Sequence, residues 1–408
     1  MKIRSITCFV DPGWPLASAA LKPVEKLAER ARPAFEAAGF EVQSTRLATT
    51  PFPKLIGSGD TQSAVRLAQA LNTASRSMGV DYLSLGPALV EVPESYAAIP
   101  EVLAVTEAVF LSGMLTIDGQ VSLPAVRRCA QVICSLAAIL PNGFANLYFA
   151  ALANVSPGAP FFPAAYHAGG EPIFALAMEA ADLAVSAFEH AASLAQARQN
   201  LVRAVEQGAE RLVQVAYVLE RDCGVRFGGI DFTLAPFPQT DRSIGAALEV
   251  LGIESVGLSG TLAAAAFLTD TLDRARFPRA GFNGLMLPVL EDAVLAQRLG
   301  QGLLSVQDLL LYSAVCGTGL DTIPLPGDVS PEQLSAVLLD LAALALRLDK
   351  PLTARLMPIP GKRAGEPTEF DFPYFANSRI LGLRAGPPGG LLAGDETLAL
   401  SRRPDNKV

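Results

Sequence analysis

The sequence predicts an α/β protein with parallel strands, built as a barrel or a large open sheet. Three observations predict it. Strand-like and helix-like segments alternate along most of the 408 residues. The intervening helices are the crossovers that parallel pairing needs. Half of the residues are hydrophobic and 18 % are charged, which leaves ample apolar material for a large core.

The elements follow in order. Ile3 to Val10 reads as a strand, and Leu16 to Ala38 as a helix stopped at Gly39. Phe40 to Leu47 is a strand, Ser63 to Met78 a helix stopped at Gly79, and Asp81 to Leu85 a short strand. Val102 to Leu111 fits either a strand or a helix. Leu123 to Leu140 is helical, with Pro124 in its first turn. Leu147 to Ala153 reads as a strand. Pro172 to Leu219 reads as two helices broken near Leu194 to Asn200. Beyond it come strands at Gly229 to Leu234, Gly284 to Leu290, Thr322 to Leu325 and Leu352 to Pro358. Helices are expected at Ser243 to Leu251, Thr261 to Arg274, Asp292 to Leu299, Val306 to Val315 and Pro331 to Arg347. Residues 1–360 then form one domain. Residues 361–408 form an irregular, Pro- and Gly-rich segment packed on it, frayed from Ser401 to Val408.

Composition removes several function classes. A net charge of −8 lacks the basic footprint of a nucleic-acid binder. The five cysteines are odd in number and contain no Cys-x-x-Cys, so neither a disulfide framework nor a zinc cage is expected. Reduced thiols and the lack of a signal-like start point to the cytoplasm. No window is long and apolar enough for a membrane span. With only two histidines, one chain cannot build a multi-histidine metal site. There is no Gly-x-Gly-x-x-Gly, no Walker loop and no Gly-x-Ser-x-Gly, so no NAD site, nucleotide loop or hydrolase elbow is expected.

Sites in parallel α/β folds form at the carboxyl ends of strands, and that is where candidates are sought. His167 and Glu171 flank Gly169-Gly170 just before the helix expected at Pro172. They read as an acid/base or cation-binding pair beside a helix-end anion site, or as an exposed loop. Asp231 sits inside the apolar run Gly229 to Leu234; a buried acid there lines a site or caps a loop. Cys316, followed by Gly317 and Gly319, reads as a nucleophile with room for a ligand or as a small core residue. Glu291 and Asp292 form a weak metal pair or the first-turn charge of a helix. Arg355 inside its strand clamps an anion, or bridges to Asp231 or Asp321.

Several stretches carry a family resemblance. They are Gly79-Val80-Asp81-Tyr82, Phe227 to Pro238, Leu251 to Gly257, Gly260-Thr261, Pro288 to Asp292, Cys316 to Asp321, Thr353-Ala354-Arg355 and Pro360-Gly361-Lys362. Tyr166-His167 with Gly170-Glu171 joins them. The chain resembles the uncharacterised domain-of-unknown-function family 711. The resemblance implies a ten-stranded α/β barrel of two parallel half-barrels, like that of pyruvate formate-lyase and other glycyl-radical enzymes. It implies no reaction. The chain departs from the family pattern at Asp241-Arg242-Ser243, at Gly257-Leu258-Ser259-Gly260-Thr261, which lacks a histidine, and at Ala175 to Ala180. A glycyl radical is not expected, because Pro387 follows Leu383-Arg384-Ala385-Gly386 where an aromatic residue belongs.

The resulting expectation is a barrel protein acting on a small anionic, carboxylate-bearing metabolite. Arg355 binds the anion with Asp321, Ser259 and Thr261. His167, Glu171, Asp231 and Cys316 supply acid/base or metal-assisted lyase or isomerase chemistry, with a divalent cation as the one cofactor considered. The alternative is a non-catalytic sensor with a degenerate pocket. An Ala- and Leu-rich face within Pro172 to Leu219 suggests a homodimer.

Overall fold

The structure is a computed structural model and describes residues 1–402. Beyond Arg402, the expected frayed end lies outside the described residues. The strands are β1 (Lys2–Val10), β2 (Thr45–Thr49), β3 (Tyr82–Ala88), β4 (Val109–Met114), β5 (Thr116–Ile117), β6 (Gln120–Ser122), β7 (Phe149–Ala153), β8 (Ile173–Glu179), β9 (Arg226–Ala235), β10 (Gly319–Pro326), β11 (Leu352–Ile359) and β12 (Thr397–Ala399).

Nine of them form one mixed sheet in the order β10-β11-β7-β4-β3-β2-β1-β8-β9. Strands β1, β2, β3, β4 and β7 run parallel to one another. So do the pairs β8–β9 and β10–β11. The groups meet antiparallel at β1/β8 and β7/β11. Five strands therefore run one way and four the other. The short β5, β6 and β12 make a separate sheet that ties the C-terminal segment to the body.

The strands are buried almost end to end, as in sheets covered on both faces. Helices cover the outside, and their ends are set by local chemistry. Ser305 and Ser330 open theirs with capping boxes to Asp308 and Gln333. Gly224 closes the helix Leu194–Cys223 at φ 71°, where a side chain would be strained. Among the described residues, no helix is long and apolar enough to cross a membrane.

Three expected elements differ. Pro172 to Leu219 begins with a strand, β8, before the helices Ala181–Glu189 and Leu194–Cys223. Ile-Phe-Ala-Leu-Ala-Met-Glu is rich in helix formers, but full burial between β1 and β9 overrides propensity. The window Val102 to Leu111 splits into the end of the helix Ser95–Val105 and the start of β4. Gly284 to Leu290 makes no ladder. It belongs to a run, residues 278–290, that touches both edges of the sheet by single bridges, Ile230–Arg279 on β9 and Pro288–Asp321 on β10. Pro278 and Pro288 have no N–H to offer a ladder.

Candidate functional site

A cavity of about 130 Å³ lies against the inner face of the sheet. Its wall begins with charged residues placed inside strands. Arg4 is the third residue of β1, Arg46 the second of β2, Tyr82 the first of β3 and Phe110 the second of β4. The cavity thus stands at the amino ends of the five-strand group, where carboxyl ends were expected. The carboxyl-end rule holds for sheets of one direction. Here two opposed groups bring both kinds of strand end to each side.

Irregular pairing aims the charges inward. Arg4 is the extra residue where β1 shifts register against β8, between Ile3 and Ser5. Glu179 follows the shift between Ala177 and Glu179 on β8. Asp321 sits where β10 gains a residue over β11, between Leu320 and Ile323. Bulges of this kind redirect side chains and gather beside functional sites.

The charges form a chain of ion pairs. Arg355 donates from Nε to Asp321 Oδ1 at 2.6 Å and from NH2 to Glu291 Oε1 at 2.7 Å. Arg4 donates to the other oxygen of Glu291 and stands 4.0 Å from Glu179. Arg242 and Gln43 donate to Glu179. Burial works to raise Glu291, but Arg4 and Arg355 outweigh it and hold its carboxyl below the usual range. Burial wins at Asp321, where Arg355 offsets it in part and Glu291 adds to it, so that carboxyl stays above its usual range.

Arg46 is outside this chain. Its Nε donates to Ser44 Oγ at 2.9 Å, and its guanidinium stands 5.1 Å from the Phe162 ring centre and 5.5 Å from that of Tyr82. The β2–β3 register sets Arg46 directly beside Tyr82. No carboxylate pairs with Arg46 among the described residues. Burial, and then the like charge of Arg4, push it down to about 9. Three arginines (Arg4, Arg46, Arg355) and two carboxylates (Glu291, Asp321) line the cavity, which leaves one positive charge in excess.

The remaining wall is aromatic. Phe110 meets Tyr82, Tyr148 and Phe162 edge to face at 5.6, 5.0 and 5.2 Å. Phe372 and Tyr374 reach in from the C-terminal segment. That segment is fixed by Ala376 N–H donating to Leu290 O at 2.7 Å.

Comparison with known proteins gives the family of the chain. The family described as Uncharacterised ACR (DUF711) matches residues 1–376. The chain belongs to that family. Relatives carry the name UPF0210 protein. One from Pyrobaculum arsenaticum is 34 % identical over 366 residues, 84 % of this chain and 80 % of the relative. One from Acetivibrio thermocellus is 30 % identical over 351 residues, 81 % of this chain and 77 % of the relative. One from Methanosarcina acetivorans is 30 % identical over 350 residues, 81 % of this chain and 75 % of the relative.

The residues singled out in this DUF711 chain go to different places. Arg355, Asp321 and Glu291 share the central cavity. Arg355 is no open clamp, since its Nε and NH2 already serve Asp321 and Glu291. Asp292 points away from Glu291. It accepts from Ser243 Oγ at 2.6 Å, Ile244 N at 2.6 Å, Val294 N at 3.0 Å and Leu295 N at 2.9 Å, and so fastens two helix starts. Among the described residues, no group of three His, Cys, Asp or Glu side chains is set to hold a metal ion.

His167 and Glu171 line a separate open cleft with Gly169 and Arg226. The helix expected to begin there is strand β8, so no helix end faces the cleft. Glu171 is exposed, whereas His167 is buried with its Nε2 unpartnered among the described residues. Asp231 is fully buried. It accepts from Thr233 N at 2.9 Å, Thr233 Oγ1 at 2.5 Å, Phe282 N at 2.7 Å and Asn283 N at 2.9 Å, which pins the 278–290 run to β9. Burial raises its carboxyl, opposed by those donors.

Cys316 is buried, and the space beside it is taken by backbone. A Cβ on Gly317 would stand 2.5 Å from Gly284 Cα. Lys350 donates to the carbonyls of Ser313, Ala314 and Cys316 and closes that helix end. Thr261 accepts from Gly257 N at 3.1 Å and donates to Leu258 O at 2.8 Å, a turn-forming role, and Ser259 is exposed. His167, Glu171, Asp231 and Cys316 therefore do not line one common cavity.

Sequence reading missed Arg4, Arg46, Glu179 and Arg242. The signal for the first two was present: each is a charge inside an apolar strand, the criterion that selected Asp231 and Arg355.

Proposed function

We propose that this protein binds a small organic carboxylate in the central cavity, with Arg46 as its counter-ion. The single observation behind this is the excess positive charge at Arg46. A guanidinium kept among aromatic rings without a carboxylate is costly. A bound anion supplies the missing partner through a two-pronged hydrogen bond. The aromatic rings suit the apolar body of such a ligand. A cavity of this volume is comparable to one of about 150 Å³ that takes benzene, so the ligand has few heavy atoms.

The scaffold is read as a closed barrel. Bridges from residues 278–290 to both sheet edges, β9 and β10, support an irregular tenth staple between the two opposed strand groups. Closure removes the sheet edges and encloses the inner face.

The test is calorimetry and thermal unfolding with oxalate, 2-oxobutyrate, benzoate and inorganic phosphate. At a hundred times Kd a ligand stabilises by about 2.7 kcal/mol. A carboxylate is expected to raise the midpoint in the native protein and to lose that effect in Arg46→Gln. No response to any carboxylate, or an equal response in Arg46→Gln, overturns the reading.

A further inference from the structure

Two carboxylates share Arg355, and they are not equivalent. Glu291 has both oxygens engaged, one by Arg355 and one by Arg4. Asp321 has one engaged, Oδ1, by Arg355 Nε. Its Oδ2 has no hydrogen-bond partner among the described residues, yet it is not one of the sealed, unpartnered atoms. It is an open oxygen on a residue of the cavity wall.

The backbone around it is unusual. The extra residue of β10 falls here, and Thr322 takes φ 47°. A β-branched residue in that left-handed region is strained. Strain of this kind persists where the surrounding structure holds a side chain in a required position. Here it turns Asp321 to the face that carries Arg46.

We propose that Asp321 is the catalytic base of a proton transfer on a 2-oxo acid anchored at Arg46. The proposal rests on the anion-binding reading above and deepens it. Arg46 selects for the carboxylate. An aspartate is a modest base, so the C–H it attacks must already be acidified by an adjacent ketone; a 2-oxo acid meets both needs. The C3–H bond breaks and its proton passes to Asp321 Oδ2. The electron pair moves to the 2-oxo oxygen and gives the enolate. Protonation of Asp321 leaves Arg355 with one carboxylate in place of two, and the positive charge so released offsets the enolate. Return of a proton from Asp321 to the same face of carbon regenerates the ketone, so the step exchanges the C3 hydrogen. No oxidant or reductant is consumed. The raised carboxyl of Asp321, set by burial with the like charge of Glu291 and opposed by Arg355 and Arg4, fits a group that must both take and return a proton.

The experiment incubates the full chain with 2-oxobutyrate in deuterium oxide and follows loss of the C3 proton signal by NMR. Calorimetry with oxalate, which has no C–H, reports binding alone. Exchange well above buffer, lost at least a hundredfold in Asp321→Asn with oxalate affinity within a few-fold, is the expected result. Asp321→Glu keeps the partner of Arg355 but displaces the open oxygen by one methylene, and it serves if the asparagine variant does not fold; a large rate loss is again expected. Oxalate binding without exchange, or exchange that survives either substitution, overturns the role of Asp321 and leaves the anion site standing. No binding of oxalate or 2-oxobutyrate, with no exchange, overturns the anion site and this role together.

Discussion

The central cavity and the His167 cleft lie on different parts of the sheet and handle charge in opposite ways. The cavity holds its arginines and Asp321 on strands and Glu291 in a turn, part-buried or buried and mostly paired. The cleft holds Glu171 on a loop and Arg226 at the start of β9, both in solvent, around one buried imidazole. A charge on a buried strand must be paired or must await a partner. A charge in an open cleft is compensated by water. In the cavity, then, a charge without a partner points to a ligand, and Arg46 is that charge.

The sharpest way to break this contrast is to remove the shared cation. Arg355→Met leaves Asp321 and Glu291 side by side without the guanidinium that serves both. Breaking a buried ion pair from one side costs about 3–5 kcal/mol. Urea unfolding should show a loss of that size with an unchanged slope. A loss below about 1 kcal/mol would mean that the network is solvated like a surface bridge. Glu171→Gln in the cleft should leave the midpoint where it was.

Asp231→Ala ranks next. Two of the four hydrogen bonds that Asp231 accepts come from the 278–290 run, and their loss leaves the N–H groups of Phe282 and Asn283 unpaired. The cost should be about 2–3 kcal/mol. Since the residue is built into the wall and not into the cavity, oxalate affinity of the folded variant should stay within a few-fold. Loss of binding with stability intact would return Asp231 to the site.

Much of the fold was legible because its signals are local. Gly39 and Gly79 mark helix ends, serines mark helix starts, and apolar runs mark the strands. β8 was hidden because Ala, Leu and Met favour a helix until β1 and β9 bury them on both sides. The site was legible in part. Arg355 and Asp321 announce themselves as charges within strands, and so in principle do Arg4 and Arg46. Which arginine is already paired depends on register, and register depends on bulges at Arg4 and Asp321 that no short-range pattern marks. Cys316 reads two ways from the sequence for a similar reason. Its glycines make room for the backbone at Gly284, a contact between segments distant in sequence.

Arg46 itself gives a prediction of opposite sign. Removing a part-buried cation that has no carboxylate partner should relieve desolvation, so Arg46→Gln should unfold at higher urea, by about 0.5–2 kcal/mol. The same variant should lose oxalate binding. Stability gained with binding lost is the pattern of a residue kept for function. Destabilisation would instead make Arg46 a packing element of the ring cluster.

The smallest effect belongs to the cleft and tests its half of the contrast. Burial holds the His167 imidazole below its ordinary value; contact with the Gly170 backbone and the charge of Asp11 oppose this, and Arg226 adds to it. The unfolded chain takes up the proton near pH 6.5, while the folded chain resists it until lower pH. Between those two points the unfolded state binds more protons, so stability rises with pH. The contribution is complete above about 6.5, shrinks as the pH falls, and stops changing below the native value. The raised carboxyls of Asp231, Asp292 and Asp321 have the opposite sign, gaining stability as the pH falls. The difference between the native protein and His167→Gln isolates the histidine. Urea midpoints from pH 7.5 down to 5 should converge between the two proteins as the pH drops. A constant gap would place the His167 ring in contact with water, and the two regions would then differ only in how many charges they hold.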